Sequence, residues 1–417
     1  MGNRKLRIFF AVPSYYPSQD GVANITGYLA EGLAARGHEV LIFTSAGNGG
    51  LQKLPYKEEH KGVMIERMRV YVRWPLRLKG RDKESTRKVY FERVRSFDPD
   101  VLVVVCSQTW TFDWIMPYLD KIKCPKVFYS HGYSKWMDKY TYKEQLLKRN
   151  ILGVWEQYLC KRYYDRLYKY IDKYDLAIYL SDQNNAVKYA GRYGLTNGKI
   201  LENAIEDAFF STEMKHEYKD VPEEIRFLFV ANYSENKNHE MLIKAYSQAS
   251  IGKSSLIFAG FEENEYSDYL KDYTKKVLRQ EQEKRVEFNV HLTREQVIDL
   301  YRTSDIFVCP SKSETWSIVA HEAAAAAMPV VSMDVGIYSE IDGVLIVRNL
   351  KEMQSALEML YHSQEERRKR GLAAYEWLMT RHCRTKDKVD WLEEALKKLA
   401  ETEERENSGL NKAVGKE

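Results

Sequence analysis

The 417-residue chain has little cysteine, and none of it is spaced to work together. Cys106, Cys124, Cys160, Cys309 and Cys383 are scattered, odd in number and free of any Cys-x-x-Cys. That excludes a disulfide framework or a structural zinc site and fits a reducing, cytoplasmic setting. Long apolar runs are missing too, and nothing approaches the roughly 20 residues needed to span a bilayer. The start, Met1 to Arg7, leads into a short strand and Pro13, so it does not read as a secretory signal. Gly2 lacks the downstream Ser or Thr of a myristoylation site. No Gly-x-Gly-x-x-Gly, P-loop or His-Glu-x-x-His occurs, which counts against dehydrogenase, ATPase and zinc-protease readings. Asp98-Pro99-Asp100 precedes a strand and is fixed by its proline, so it reads as a connector, and no metal is expected. There is no internal repeat.

What is present is a globular composition, 44% hydrophobic, in a chain long enough for two cores. Short apolar runs alternate with helical stretches. Lys5 to Val12, Val40 to Thr44, Val101 to Cys106, Lys126 to Ser130, Leu176 to Leu180 and Lys199 to Glu202 read as strands. Helices are expected at Asn24 to Arg36, Thr111 to Leu119 and Gln183 to Tyr193. After a polar stretch from Glu206 to Glu224 the alternation restarts, with strands at Phe227 to Val230, Ser255 to Ala259 and Val286 to Asn289. This pattern predicts parallel sheets covered on both faces. The expected division is 1–205, then 206–385, with 386–401 packing back on the first domain and 402–417 a disordered tail.

The net charge of +4 is mild, but its distribution is uneven. Arg67, Arg69, Arg73, Arg77, Lys79, Arg81, Lys83, Arg87 and Lys88 crowd one stretch. A second basic and aromatic stretch runs from Lys135 to Lys173. Both read either as solvated faces or as a surface that meets anionic lipid or a lipid diphosphate. No nucleic-acid motif accompanies the charge, so a nucleic-acid partner is not expected.

The most informative segment runs from Pro310 to Val331. An apolar strand, Asp305 to Cys309, enters it, a helical stretch from Ser317 to Ala327 follows, and Pro329 stops that stretch before another strand. A fresh helix N-terminus has unpartnered N–H groups and a positive dipole end, so a diphosphate fits on the backbone of Trp316, Ser317, Ile318 and Val319. Glu314 and Glu322, with seven residues between them, bracket that position with acceptors for sugar hydroxyls. Spacing alone equally allows an ordinary β-α-β unit with two solvent-facing acids.

The pattern of strand, Pro-Ser, Glu, seven residues, Glu-Ala, small residues and Pro-Val-Val resembles the donor site of retaining GT-B glycosyltransferases of the family-4 type. The resemblance extends over about residues 5–400. It implies an α/β, GT-B fold, with two doubly wound Rossmann-like domains facing across a cleft. It also implies that Glu314 meets the donor sugar and Glu322 the nucleotide ribose. Tyr15 to Val22 looks like the family's N-terminal loop, with Gly21 kept and Asp20 in place of the first glycine. Ser130-His131-Gly132 matches a strand end that places His131 by the donor sugar. Val230 to Asn238 looks like the phosphate loop, where Lys237 matches the lysine and Asn232 stands for the arginine. His291 matches the contact to the base, although Val290 replaces a glycine. Ser317 and Ala327 replace two further glycines, and Gly336 and Glu340 match the motif's tail.

The implied activity is retaining transfer from a nucleoside-diphosphate sugar to a glycan or lipid-linked acceptor, in cell-surface polysaccharide or glycolipid synthesis. It needs no cofactor. The protein would be cytoplasmic and peripheral on an anionic membrane surface. A catalytically inactive GT-B scaffold and a sugar-nucleotide epimerase are the alternatives.

Overall fold

The computed structural model describes residues 4–18, 20–46, 54–68, 72–73, 77–78, 83–133, 146–147, 150–182, 184–210, 224–279, 281–314, 317–381 and 383–414. Trp316 and the side chains of 69–85 lie outside them, and with them most of the first basic stretch. The chain forms two compact units, Met1–Ala204 with Thr385–Glu417, and Ile205–Arg384. Each is a helix-covered, mainly parallel sheet. Among the described residues no helix is long and apolar enough to cross a membrane.

In the first unit the strands are β1 (Arg7–Ala11), β2 (Glu39–Ser45), β3 (Lys57–His60) and β4 (Val63–Met68). Beyond the short pair β5 (Val72–Arg73) and β6 (Arg77–Leu78) come β7 (Val101–Val105), β8 (Lys126–Tyr129), β9 (Leu176–Tyr179) and β10 (Gly198–Ile200). The sheet order is β10-β9-β8-β7-β1-β2-β4-β3. Within this sheet, among the described residues, only β3 runs antiparallel. Ile8 and Phe10 join one apolar layer while Phe9 and Ala11 join the other. Both faces are therefore buried, which is why these strands read as continuous apolar runs.

Three features depart from expectation. The hairpin β3–β4 is not visible as an apolar run, because its edge strand is Lys-Glu-Glu-His and packs on one side only. Its turn is Lys61-Gly62, with φ of +48° and +78°. The stretch Thr111 to Leu119 is not one helix. It breaks into Trp110–Asp113 and a 3₁₀ turn, Met116–Lys121, because Pro117 cannot continue the ladder. Finally, the tail is not disordered from residue 402. The helix Thr385–Val414 continues past it as far as residue 414, since Glu, Lys and Arg are good helix formers and no proline intervenes.

Arg67 also corrects the sequence reading. It is 1% exposed, donates 2.7 Å to the Tyr16 carbonyl and pairs with Glu58, so it belongs to the interior and not to a basic surface.

The C-terminal helix is tied to the first unit through Glu393. Arg36 Nη1 and Lys397 Nζ each lie 2.6 Å from it, and His38 Nε2 lies 3.0 Å away. The other His38 nitrogen accepts the Leu6 N–H at 3.0 Å. Burial alone would raise the Glu393 carboxyl, but bonds from Lys397, Arg36 and His38 outweigh it and hold it at about 2. An unfolded glutamate titrates near about 4.3, so the unfolded chain binds more protons between the two values. The stability from this network is complete above that window and is lost as pH falls through it. Glu393→Gln should therefore melt below wild type at neutral pH, with the gap closing as pH falls toward about 3. A gap that stays constant in melts across that range would contradict the linkage.

The second unit is a wholly parallel sheet of β11 (Ile225–Val230), β12 (Ser254–Ala259), β13 (Lys284–Asn289), β14 (Ile306–Cys309), β15 (Val330–Met333) and β16 (Leu345–Val347). Its order is β13-β12-β11-β14-β15-β16. The order reverses between β11 and β14, and such a switch point, at the strands' carboxyl ends, is where doubly wound sheets bind ligands.

Candidate functional site

Two loops leave the sheet at that switch point, 231–238 after β11 and 310–314 after β14. Backbone and side-chain bonds stitch them together. The Lys312 N–H donates to the Asn236 carbonyl at 2.8 Å, Asn236 Nδ2 to the Ser313 carbonyl at 3.0 Å, and Asn238 Nδ2 to the Pro310 carbonyl at 3.1 Å. The result is a rigid frame that brings Lys237 Nζ to 2.7 Å from Glu314 Oε1. The lysine side chain is 27% exposed and the glutamate 11%, so the pair is half-sheltered yet reachable. Gly336, at φ +56°, packs against Glu314. A Cβ there would sit 3.0 Å from the Glu314 Cβ, so a larger residue would push the carboxylate away.

The helix Ile318–Ala325 starts beside this pair. Its N-cap residue, Ser317, makes no capping bond, because its hydroxyl lies 2.7 Å from the Tyr338 hydroxyl instead. The N-terminus thus keeps its attraction for an anion. Beyond the other end of the helix, Ala327 holds φ +53°, a left-handed conformation that costs a side-chain-bearing residue about 1 kcal/mol. Alanine occupies the place of an expected glycine and adopts the left-handed conformation that a glycine takes freely.

Glu322 is 2% exposed and held from both sides. Arg294 Nη2 donates to one oxygen at 2.7 Å and the Tyr301 hydroxyl to the other at 2.9 Å. Arg294 also donates to Glu206 at 2.8 Å and lies 4.6 Å over the Phe209 ring. Burial works against the arginine's charge, but Glu322 and Glu206 keep it firmly protonated. The sequence reading missed Arg294 and Tyr301. The available signal was their spacing of two helical turns within Arg294–Thr303, on one face.

Asn232 and His291 form a rim above β11 to β13. Asn232 Oδ1 accepts the Phe261 N–H at 3.3 Å, and the His291 N–H donates to the Phe261 carbonyl at 3.1 Å. Asn232 therefore fastens a loop and brings no charge. Lys237 is the cation that this loop aims at the switch point. The sequence reading also passed over His239. It is fully buried among Phe229, Tyr233 and Phe258, and burial with the nearby Lys237 charge lowers it to about 3.

The first unit has its own switch point at the carboxyl ends of β1 and β7. Gly21 opens the helix Gly21–Ala35 there, but Asp20 already occupies the anion position. Its carboxylate accepts from the Val22 and Ala23 N–H groups at 3.0 Å each, and from Ser14 and Ser18 at 2.9 and 2.8 Å. The helix start at Gly21 is thus capped from within the chain. His131 follows β8, with its ring 4.9 Å from Tyr129. Burial lowers it to about 4, against the Asp20 charge, so the imidazole is neutral near pH 7. Among the described residues its buried Nε2 has no hydrogen-bond partner. Cys106, in the same group, adopts φ +63°, and burial pushes its thiol up to about 12, which favours the protonated thiol near pH 7. Among the described residues no cluster of three or more His, Cys, Asp or Glu side chains is placed to hold a metal ion.

Comparison with known proteins places these loops in a family context. Residues 210–377 match the family described as Glycosyl transferases group 1, and residues 19–180 match Glycosyltransferase Family 4. No curated protein sequence matches the chain. Among solved structures, the sucrose-phosphate synthase of Thermosynechococcus elongatus superposes with a TM-score of 0.72 at 17% identity, covering 95% of this chain and 99% of that one. A glycosyltransferase from Rickettsia africae gives 0.67 at 15%, covering 95% and 98%. The E. coli trehalose-6-phosphate protein bound with UDP-2-fluoro glucose gives 0.62 at 14%, covering 94% and 99%. At these identities the likeness carries the fold.

Proposed function

We propose, from the premise that the chain belongs to the GT-B glycosyltransferases of the family-4 type, that it transfers a sugar with retention of configuration to a glycan or lipid-linked acceptor. Sugar transfer from a nucleotide sugar is the enzyme's activity. The single observation behind the donor-binding part of this reading is the Lys237–Glu314 pair, set 2.7 Å apart at the switch point beside an uncapped helix N-terminus.

Without donor, Lys237 and Glu314 neutralise one another. A donor diphosphate takes Lys237 and the N–H groups of Ile318 and Val319, and Glu314 is released to accept hydroxyls of the sugar. As the anomeric C–O bond breaks, charge grows on the leaving diphosphate, and the lysine and helix dipole are already aimed at it. Glu322, held by Arg294 and Tyr301, offers its remaining lone pairs to the ribose. Within the N-terminal unit taken by itself, the neutral His131 offers Nε2 to a hydroxyl of a sugar bound to that unit. The acceptor fits cell-surface polysaccharide or glycolipid synthesis at the cytoplasmic face of a membrane.

A thermal-shift panel of nucleoside diphosphates and their sugars tests this reading. Uridine diphosphate sugars head it, because a fold relative is bound with UDP-2-fluoro glucose. A binder at 100 times its dissociation constant stabilises by about 2.7 kcal/mol. Proton NMR of the first transferred product should then give the donor's anomeric configuration. A panel without any stabilising nucleotide would remove the reading. One observation favours an inactive scaffold instead: Asn232 supplies no charge and is spent on the Phe261 N–H. Donor turnover that is absent in wild type, despite tight nucleotide binding, would select that alternative.

A further inference from the structure

The helix Ile151–Ile171 changes character along its length. One face is buried throughout, through Gly153, Gln157, Cys160, Tyr164, Leu167 and Ile171, at helical steps of three and four. The opposite face is expected to be polar. Over its second half it is, with Lys161, Arg162, Asp165, Arg166 and Lys169 exposed. Over its first half the exposed side chains among the described residues are apolar or aromatic. Ile151 is 83% exposed, Leu152 75%, Trp155 56% and Leu159 38%. Leu147, just upstream, is 83% exposed. Ile151, Trp155 and Leu159 follow one another at four-residue steps and so form a stripe. Single exposed apolar residues need no explanation, but a contiguous row marks a surface made to be covered.

We propose that this face docks the N-terminal unit onto an anionic lipid bilayer, with Ile151, Leu152, Trp155 and Leu159 entering the headgroup boundary. Charge selects the occupant. Behind the apolar row the exposed helix face carries four cations against one acid, and that acid, Asp165, is paired with Lys161 at 2.9 Å. Arg162, Arg166 and Lys169 remain to meet negative headgroups. Aromatic rings stand between the two zones. Trp155 and Tyr158 have centroids 5.6 Å apart, and the Arg162 guanidinium lies 5.9 Å from the Tyr158 ring. Amphipathic rings favour the level where lipid meets water.

A cavity of about 280 Å³ opens alongside, walled by Leu159, Tyr163 and Tyr170 and flanked by Arg162 and Arg166. Apolar walls beneath two guanidinium groups suit a phosphate headgroup on an acyl chain. Apart from the Trp155 indole and the Tyr158 hydroxyl, the row offers no hydrogen-bonding side chain. It matches a partner without a fixed pattern of donors and acceptors, as a bilayer is. The proposal deepens the reading of a lipid-linked acceptor and rests on it for its purpose, yet its test needs neither donor nor acceptor.

The test is flotation of the full chain with phosphatidylcholine vesicles, with and without added phosphatidylglycerol. Wild type should float with the anionic vesicles at low ionic strength and release at high. The exposed triple Ile151→Ser, Leu152→Ser, Trp155→Ser removes no core contact and should weaken binding by about 100-fold or more. Arg162→Glu, Arg166→Glu, Lys169→Glu together should abolish the preference for anionic vesicles. Wild type that stays unbound at low salt would overturn the proposal. So would a serine triple that floats as wild type does. Sedimentation velocity covers a further occupant. If wild type self-associates, the serine triple is monomeric and neither floats, the face binds a second copy and the lipid proposal falls. Calorimetry with a nucleoside diphosphate on the serine triple reads the sugar-transfer function separately, and it should match wild type. If nucleotide binding is absent from both proteins, the transfer reading fails while flotation still decides the docking.

Discussion

Lys237→Ala should lower turnover by about 100- to 1000-fold, the usual loss when one preorganised stabiliser of transition-state charge is removed. The reason is positional. Lys237 is the cation that the loop after β11 brings to the switch point, and Asn232 is occupied with the Phe261 N–H. No neighbour in that loop substitutes for it. The fold should barely notice. The lysine is partly exposed, and ion pairs of this kind contribute about 0–1 kcal/mol to stability. A melting temperature near wild type together with lost turnover is the expected pair of results. Wild-type turnover in the folded variant would remove Lys237 from the chemistry.

Glu322→Ala should behave differently, with a large loss in stability as well as in nucleotide binding. Removing this carboxylate takes one partner from Arg294, which is held between Glu322 and Glu206 over the Phe209 ring. Arg294 keeps Glu206 and is 36% exposed, so the loss is that of its charge-assisted bond to Glu322 together with a buried Tyr301 hydroxyl left without its acceptor, about 1–3 kcal/mol each. The alanine variant therefore cannot by itself separate structure from binding, and two milder changes do so. Glu322→Gln keeps a neutral acceptor for Tyr301 but loses the charge-assisted bond to a ribose hydroxyl, worth about 1.5–3 kcal/mol. Tyr301→Phe removes one internal bond, about 1 kcal/mol of stability, and leaves the carboxylate charged. Calorimetry should give a nucleoside-diphosphate affinity that falls about tenfold or more in Glu322→Gln and is nearly unchanged in Tyr301→Phe. Equal affinity in Glu322→Gln and wild type would restrict Glu322 to holding Arg294.

The sheets were legible in the sequence because strands buried on both faces must be apolar throughout, as Val101 to Val105 is. The hairpin β3–β4 was not, because an edge strand buried on one side can read Lys-Glu-Glu-His and still pair. Arg67 illustrates the same blind spot. Its interior position depends on carbonyls of Tyr16 and Pro55, which no local pattern reveals. At the candidate site, Lys237 could be named from the resemblance of 230–238 to the family's phosphate loop, and Glu314 from its turn before a helix N-terminus and the same resemblance. The hold on Glu322 could not, because Arg294 and Tyr301 reach it across 28 and 21 residues from another helix. Asp20 was noticed as a replaced glycine, but only its four accepted bonds reveal that it fills the anion position at Gly21. The row from Ile151 to Leu159 lay inside a segment read for its cations, and its exposure became visible only once the opposite face was seen to be buried.

The central claim is that Lys237 and the start of the helix Ile318–Ala325 hold a diphosphate at the β11/β14 switch point. Calorimetric titration tests it most directly, comparing a nucleoside with its own diphosphate on wild type and on Lys237→Ala. The account predicts that the diphosphate binds wild type at least about tenfold more tightly than the nucleoside, and that Lys237→Ala loses most of this preference. A diphosphate that binds no better than its nucleoside, or a preference that survives in Lys237→Ala, would contradict it.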